Sequence, residues 1–317
     1  MSNQVESGRP LRRGDTVEIR PVDEILATLD AGGKLQGVLF MPEMARYCGQ
    51  RQRVFRRADK TCVEGVGIRR LGRAVFLEGL RCDGACHEGC QRGCLYFWHE
   101  AWLKAVPEAV TAATGAAAGE AASGGPAPAW PTRHDGRFYC QSTELLAATS
   151  QFPPLAIGHY WQDLRLGEGG LGRVARIFIR QAVNKIRRWW GMKPYGEPAG
   201  SRPGASKGDL DLEPGEWVEI KSRREILATL DPDGKNRGLS FEIEMLDHCG
   251  RRYQVAYPVR KIILEQTGVM VELAHTVVLA GVVCEGTCAK NCPRSNYFFW
   301  RESWLRRVEG PPPRPAR

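Results

Sequence analysis

Short apolar runs bounded by glycine turns, one brief helical signal near the start of each half, and a segment-by-segment repetition predict a mainly β chain with some α. The repetition is direct. Residues 24–30 are identical to residues 225–231, and Glu43, Met44, Cys48 and Gly49 match Glu244, Met245, Cys249 and Gly250 at the same offset of 201. After one inserted residue the offset is 202, and it carries Cys82, Trp98, Glu100 and Trp102 onto Cys284, Trp300, Glu302 and Trp304. A shared order over this length predicts a duplication. The expected architecture is two duplicated small SH3-like β-barrel modules, each with a Cys-rich metal-binding loop and a terminal helix, joined by a helical segment. A zinc-ribbon sheet is the competing picture.

In chain order, residues 14–20 alternate like a strand, and residues 23–30 read as a short helical turn that Gly32 and Gly33 end. Further β runs follow at 37–40, 53–56 and 74–80. The Cys-rich loop comes next and leads into an aromatic run at 95–103. The first module thus spans 14–106 and the second 214–308. Each has about 90 residues, little enough core for a metal staple to help. Residues 107–131, rich in Ala, Gly and Pro, read as a linker, as do 196–213; residues 309–317 read as a disordered tail. In the segment 132–195, Ser142 or Thr143 can cap a short helix, and 170–190 has the period of a long one.

The chain has 317 residues, 43% of them hydrophobic and 26% charged, an ordinary balance for a globular protein. Its net charge of +9 favours acidic partners. Residues 1–13 lack an apolar stretch of the export type, and no run of about 18 apolar residues occurs, so a cytoplasmic location is expected. Eleven cysteines, an odd number, then point to metal ligation rather than disulfides.

Sorting the cysteines by the repeat pairs Cys48, Cys82, Cys86 and Cys90 with Cys249, Cys284, Cys288 and Cys292, and leaves Cys62, Cys94 and Cys140 over. Four thiolates per copy suit a closed tetrahedral site, so two structural Zn²⁺ ions are expected. The local spacing, Cys-x3-Cys-x3-Cys, is looser than the usual zinc knuckle. His87 competes with Cys86 for one coordination place, and Cys62 or Cys94 can replace Cys48. Buried free thiols are the plainer alternative. The aromatic run could shield an iron–sulfur cluster, but no recognised cluster spacing is met. Nothing in the sequence places a base and an orienting group beside a cysteine, so no catalytic residue is assigned.

Trp98 and Trp102, like Trp300 and Trp304, stand four apart and would share one face of a terminal helix, as core in preference to a stacking platform. On a helical wheel, Leu171, Val174, Ala175, Phe178, Ala182, Ile186 and Trp189 fall together opposite Arg173, Arg176, Arg180, Arg187 and Arg188, with Ile177 misplaced. Residues 167–193 hold seven basic residues and one acidic, Glu168. Such a helix has a plain use, packing its apolar face and solvating its arginines. It also has two binding uses, on an anionic membrane or on a phosphate backbone.

The repeated heptapeptide at 24–30, with Tyr47 to Gly49, residues 53–60, Cys82 to Gly84, Gly89 to Gln91, Trp98 to Leu103 and the segment 139–145, resembles a group of uncharacterised bacterial proteins carrying this module singly or in tandem. The resemblance implies a bacterial origin and association with biosynthetic gene clusters for polysaccharides or secondary metabolites. It also implies Cys82, His87 and Cys90 as ligands; copy two departs there, with Ala289 in place of the histidine and Cys288 one position earlier.

The expectation is a non-catalytic, zinc-stapled binding or scaffold protein that recruits an acidic protein, nucleic acid or an anionic membrane surface. The alternative is an enzyme or accessory subunit of a biosynthetic pathway with its site between the two copies, for which His134, His159 and Asp163 are the groups to watch. No phosphate-binding glycine loop, nucleophile elbow or His-Glu-x-x-His is present.

Overall fold

The computed structural model describes residues 9–107, 131–152, 158–194, 196–200 and 210–311. Most of the two expected linkers and the tail lie outside these residues. The chain is mainly small antiparallel β-sheets with a few helices. It divides into two compact units, one of residues 1–175 with 263–270 and 292–294, the other of 176–262, 271–291 and 295–317.

The first unit is built on a five-stranded sheet in the order Trp98–His99, Ala74–Leu77, Arg51–Arg57, Thr16–Ile19, Leu103–Ala105, every pair antiparallel. Alternation explains its inner face: Val17, Ile19, Val54 and Phe76 are all fully buried. A bulge between Val54 and Arg56 shifts the register against Ala74–Leu77 and bends the long strand. In the second unit the sheet runs Trp300–Arg301, Thr276–Leu279, Arg252–Pro258, Trp217–Ile220, Leu305–Arg307, with its bulge between Val255 and Tyr257.

The repeated heptapeptide has a use for most of its residues. In the first unit Ile25 is buried in the helical turn Val22–Leu26, Thr28 Oγ1 accepts the Trp102 indole N–H at 3.1 Å, and Asp30 Oδ1 accepts the N–H groups of Gly32 and Lys34. In the second, Ile226 is buried, Thr229 accepts from Trp304 at 3.0 Å, and Asp231 accepts from Asp233 and Lys235. A buried indole donor needs a partner, which accounts for the threonine.

The terminal helix expected in each module is not there. Trp98 lies in a strand and Trp102 at the end of the 3₁₀ turn Glu100–Trp102, after which the chain resumes as the strand Leu103–Ala105. The three-residue turn returns the chain to the same core, so both indoles are fully buried, with Phe40 packed edge-on against each. Phe241 does the same for Trp300 and Trp304. These tryptophans are core, as expected, through a different backbone. Glu100 and Glu302, between them, accept N–H bonds from Leu11 and from residues 210–212 respectively.

Three elements were not anticipated in this form. A hairpin joins Lys60–Val63 to Gly67–Arg70. A helix, Gly158–Leu166, precedes the long helix Leu171–Trp189. The short helix Gln141–Ala148 is capped by Cys140, not by Ser142 or Thr143: the Thr143 hydroxyl accepts the Cys140 N–H at 3.0 Å.

Candidate functional site

The Cys-rich loop of the first unit is folded around Gly84. Its carbonyl accepts the N–H groups of His87 and Gly89, while the Cys82 N–H bonds to the Cys94 carbonyl and closes the loop at its base. Gly84 sits at φ 73°, and a β-carbon there would collide with the backbone of Cys90. Only glycine allows this approach.

The folding brings Glu43, Cys82 and His87 together, their ligand atoms within 4.8 Å of one another, so that this group could hold a metal ion. His87 Nδ1 lies 3.5 Å from Glu43 Oε1, and the Cys82 thiol lies 3.5 Å from the same oxygen. On the far side of the ring, Nε2 is 3.0 Å from the Tyr139 carbonyl. A carbonyl only accepts, so Nε2 carries the proton and Nδ1 faces the carboxylate, the arrangement that also orients a metal-binding histidine. Burial alone would pull the His87 imidazole down and push the Glu43 carboxyl up. Their mutual attraction wins, raising the one and lowering the other from their ordinary values.

Beside this group is a cavity of about 30 Å³, lined by the sulfur-bearing residues Cys82, Cys90, Cys94 and Cys140 together with His87. Two of these thiols receive donors, Gly84 N–H on Cys82 at 3.4 Å and Ile263 N–H on Cys90 at 3.3 Å, while the Cys94 thiol lies 3.7 Å from the Ser142 hydroxyl, whose own proton goes to the Glu265 carboxylate. Cys140 is placed by the helix it caps. The neighbouring Gln141 is locked by its amide, which donates to the carbonyls of Leu39 and Phe97 and accepts the Phe97 N–H. Burial pushes the Cys82 thiol far up and the Cys140 thiol up to about 11. Without a cation such thiols stay protonated and are poor nucleophiles.

The expected ligand residues of the first copy lie in different surroundings. Cys82 and Cys90 reach the cavity. Cys86 turns to the Glu43 side, where burial and that carboxylate raise it to about 11. Cys48 is buried in the hydrophobic core, its thiol also pushed up to about 11 by burial and then by Asp23. Cys94 and Cys140, left unassigned by the repeat, line the cavity. Cys62 does not; its N–H donates to the Cys292 sulfur at 3.2 Å.

The second copy does not reproduce this. Glu244, at the position of Glu43, is saturated: its carboxylate accepts the N–H groups of Glu285, Gly286 and Cys288 and the Thr287 hydroxyl. Those bonds hold the loop of the second copy to Glu244. Cys249 and Cys284 pack at the edge of the second hydrophobic core, and Cys288 lies beside Glu244, which with burial raises its thiol. In the second unit the residues whose ligand atoms do gather are Asp211, His275 and Glu302, with Glu302 already accepting three backbone N–H groups.

The long helix corrects its own wheel. It buries Val174, Ile177 and Asn184, so the residue that looked misplaced, Ile177, lies on the packed face. Gln181, on the same face, donates to the Cys288 carbonyl at 2.7 Å. Leu171, Phe178, Ile179, Val183, Ile186, Trp189 and Trp190 are left exposed, Trp189 to 82% and Leu171 to 72%. Of the basic residues, Arg176 and Arg188 are exposed while Arg173, Arg180 and Arg187 are half-buried, with Arg187 donating to the Lys193 carbonyl. Among the described residues no helix is long and apolar enough to cross a membrane.

The groups named for an enzymatic reading have the following neighbours. Asp163 pairs with Lys60 at 2.6 Å, His159 is buried against Phe152 and Tyr160, and His134 packs on Tyr139. No protein family, curated protein or solved structure matches the chain.

Proposed function

We propose that this chain is a non-catalytic, metal-stapled binding protein that docks on an anionic lipid surface through the helix Leu171–Trp189. One observation carries the reading: the helix exposes an apolar strip along its length, ending in Trp189 and Trp190, with arginines beside it. A phosphate backbone would engage the arginines and leave the strip in water. A bilayer interface takes both, burying the strip among acyl chains while headgroups meet the guanidinium groups. An apolar patch of this kind rarely stays exposed without a partner. The small bent sheets support reading each copy as an SH3-like module, with the thiol-bound metal of the first stiffening its loop.

Flotation with vesicles tests the docking. The chain is expected to float with vesicles of phosphatidylcholine and phosphatidylglycerol at low salt, to float less at high salt, and to stay behind with phosphatidylcholine alone. Failure to float with the anionic vesicles at low salt overturns the reading. So does undiminished floating of a Trp189→Ser, Trp190→Ser chain. Retention on nucleic acid or on an acidic protein, without flotation, would name the other partner.

A further inference from the structure

The thiol-lined cavity of the first unit is unlike a site for one ion. A single zinc ion holds sulfur at about 2.3 Å, which draws four sulfurs to within roughly 3.8 Å of one another. Here four thiols surround a cavity of about 30 Å³, and among the described residues no three of them bring their sulfurs within 4.8 Å of one another. Four sulfurs spread this far suit a group with more than one metal atom better than a single ion.

We infer that Cys82, Cys90, Cys94 and Cys140 hold an iron–sulfur cluster in this cavity. The inference rests on the reading that the first unit binds metal through its thiols, and is independent of the docking. Three further features of the surroundings fit it. Donors already reach the sulfurs of Cys82 and Cys90 from Gly84 and Ile263, and such bonds hold cluster ligands and set their potential. Four thiolates make a cluster anionic, and the guanidinium groups of Arg92 and Arg294 both lie within electrostatic reach of Cys94. Arg92 is held there by the Ile263 carbonyl at 3.0 Å, and Arg294 by the buried carboxylate of Glu265 and the Ser142 hydroxyl. Met41, Leu95, Tyr96 and Ile263 complete an apolar wall that limits water.

The ligand order, two cysteines eight positions apart, a third four further on and a fourth far along the chain, is not one of the familiar cluster runs. The arrangement is confined to copy one: Asn296 stands where copy two would need the counterpart of Cys94. On this reading the Glu43 and His87 pair lies behind Cys82 and orients it without binding iron.

Anaerobic reconstitution of the full chain with a mixture of ferric and ferrous iron and sulfide tests the assignment. The expected product carries equal amounts of iron and acid-labile sulfide and a broad visible absorption that dithionite bleaches. Cys94→Ser and Cys140→Ser chains, checked for folding by circular dichroism, should lose both; a Cys48→Ser chain should keep them. Unchanged iron and sulfide in Cys140→Ser would overturn the assignment. Uptake of zinc in place of iron, abolished by Glu43→Gln or His87→Ala, would move the metal to the Glu43, Cys82 and His87 group, sinking the cluster while leaving a metal-stapled module. If neither metal binds, both readings fall. Should a cysteine variant not fold, the iron-to-sulfide ratio of the parent chain decides alone.

Discussion

His87 donates from Nε2 to the carbonyl of Tyr139 at 3.0 Å, and that bond aims its other nitrogen at the buried carboxylate of Glu43, 3.5 Å away. The side chains of Glu43 and His87 are 3% and 2% exposed, so neither charge is supported by water. Removing one partner of such a pair strands the other. His87→Ala is expected to destabilise the metal-free chain by about 3 kcal/mol, and Glu43→Gln added to it should recover part of that loss. Urea unfolding of the two single variants and the double variant measures the coupling.

Buried His99 is a second histidine with the opposite habit. Nδ1 accepts the Ala101 N–H at 3.1 Å and Nε2 faces the Gln36 amide oxygen at 3.3 Å, a pattern that uses the neutral ring. Burial, then the Arg73 charge, lower its pKa to about 4. The folded value is below the unfolded one of about 6.5, so its contribution is intact above pH 6.5. It is lost as the pH falls toward 4, where the unfolded chain binds a proton that the folded chain refuses. The loss amounts to on the order of 3 kcal/mol. Unfolding free energies between pH 4 and 7 should show a slope that His99→Gln reduces by up to one proton.

Thr28 and Thr229 each accept an indole N–H from a fully buried tryptophan. Thr28→Val and Thr229→Val keep the shape and remove the acceptor, and each should cost about 1–2 kcal/mol in thermal or urea unfolding. Thr→Ser replacements, which keep the hydroxyl, should cost less than the valines.

Docking of the long helix has a charge component that can be separated from its apolar one. Each basic residue near an anionic surface is worth about 1 kcal/mol, so replacing Arg176, Arg180 and Arg187 by Gln should weaken vesicle binding by about 3 kcal/mol, or roughly 100-fold. Arg173, Lys185, Arg188 and Lys193 remain, so the residual binding should be less sensitive to salt, read by vesicle titration followed through tryptophan emission.

Much of the sheet was legible in residue patterns. Alternation placed the strand Thr16–Ile19 and period placed the helix Leu171–Trp189, to within a residue or two. What the chain could not show locally is what tertiary contact decides. The aromatic run has helical spacing, yet a 3₁₀ turn buries the same tryptophans by another path. The wheel of the long helix put its packed face wrongly because Asn184, a polar residue, is buried and seven apolar ones are not. The site was obscured by the repeat itself. Ranking cysteines by their partners in the other copy favoured Cys48 and Cys86 and set aside Cys94 and Cys140, which have none. Glu43, noted only as a repeated residue, gave no hint of reaching Cys82 and His87 from a 3₁₀ turn some forty positions away.

The thiols of the first unit, gathered around one cavity, are proposed to hold a metal–sulfide group that the second copy lacks. Elemental and sulfide analysis of the chain as isolated under anaerobic conditions, without reconstitution, addresses it most directly. The expected result is iron with matching acid-labile sulfide in a single cluster per chain. Two zinc ions per chain and no sulfide would contradict it and restore one mononuclear site to each copy.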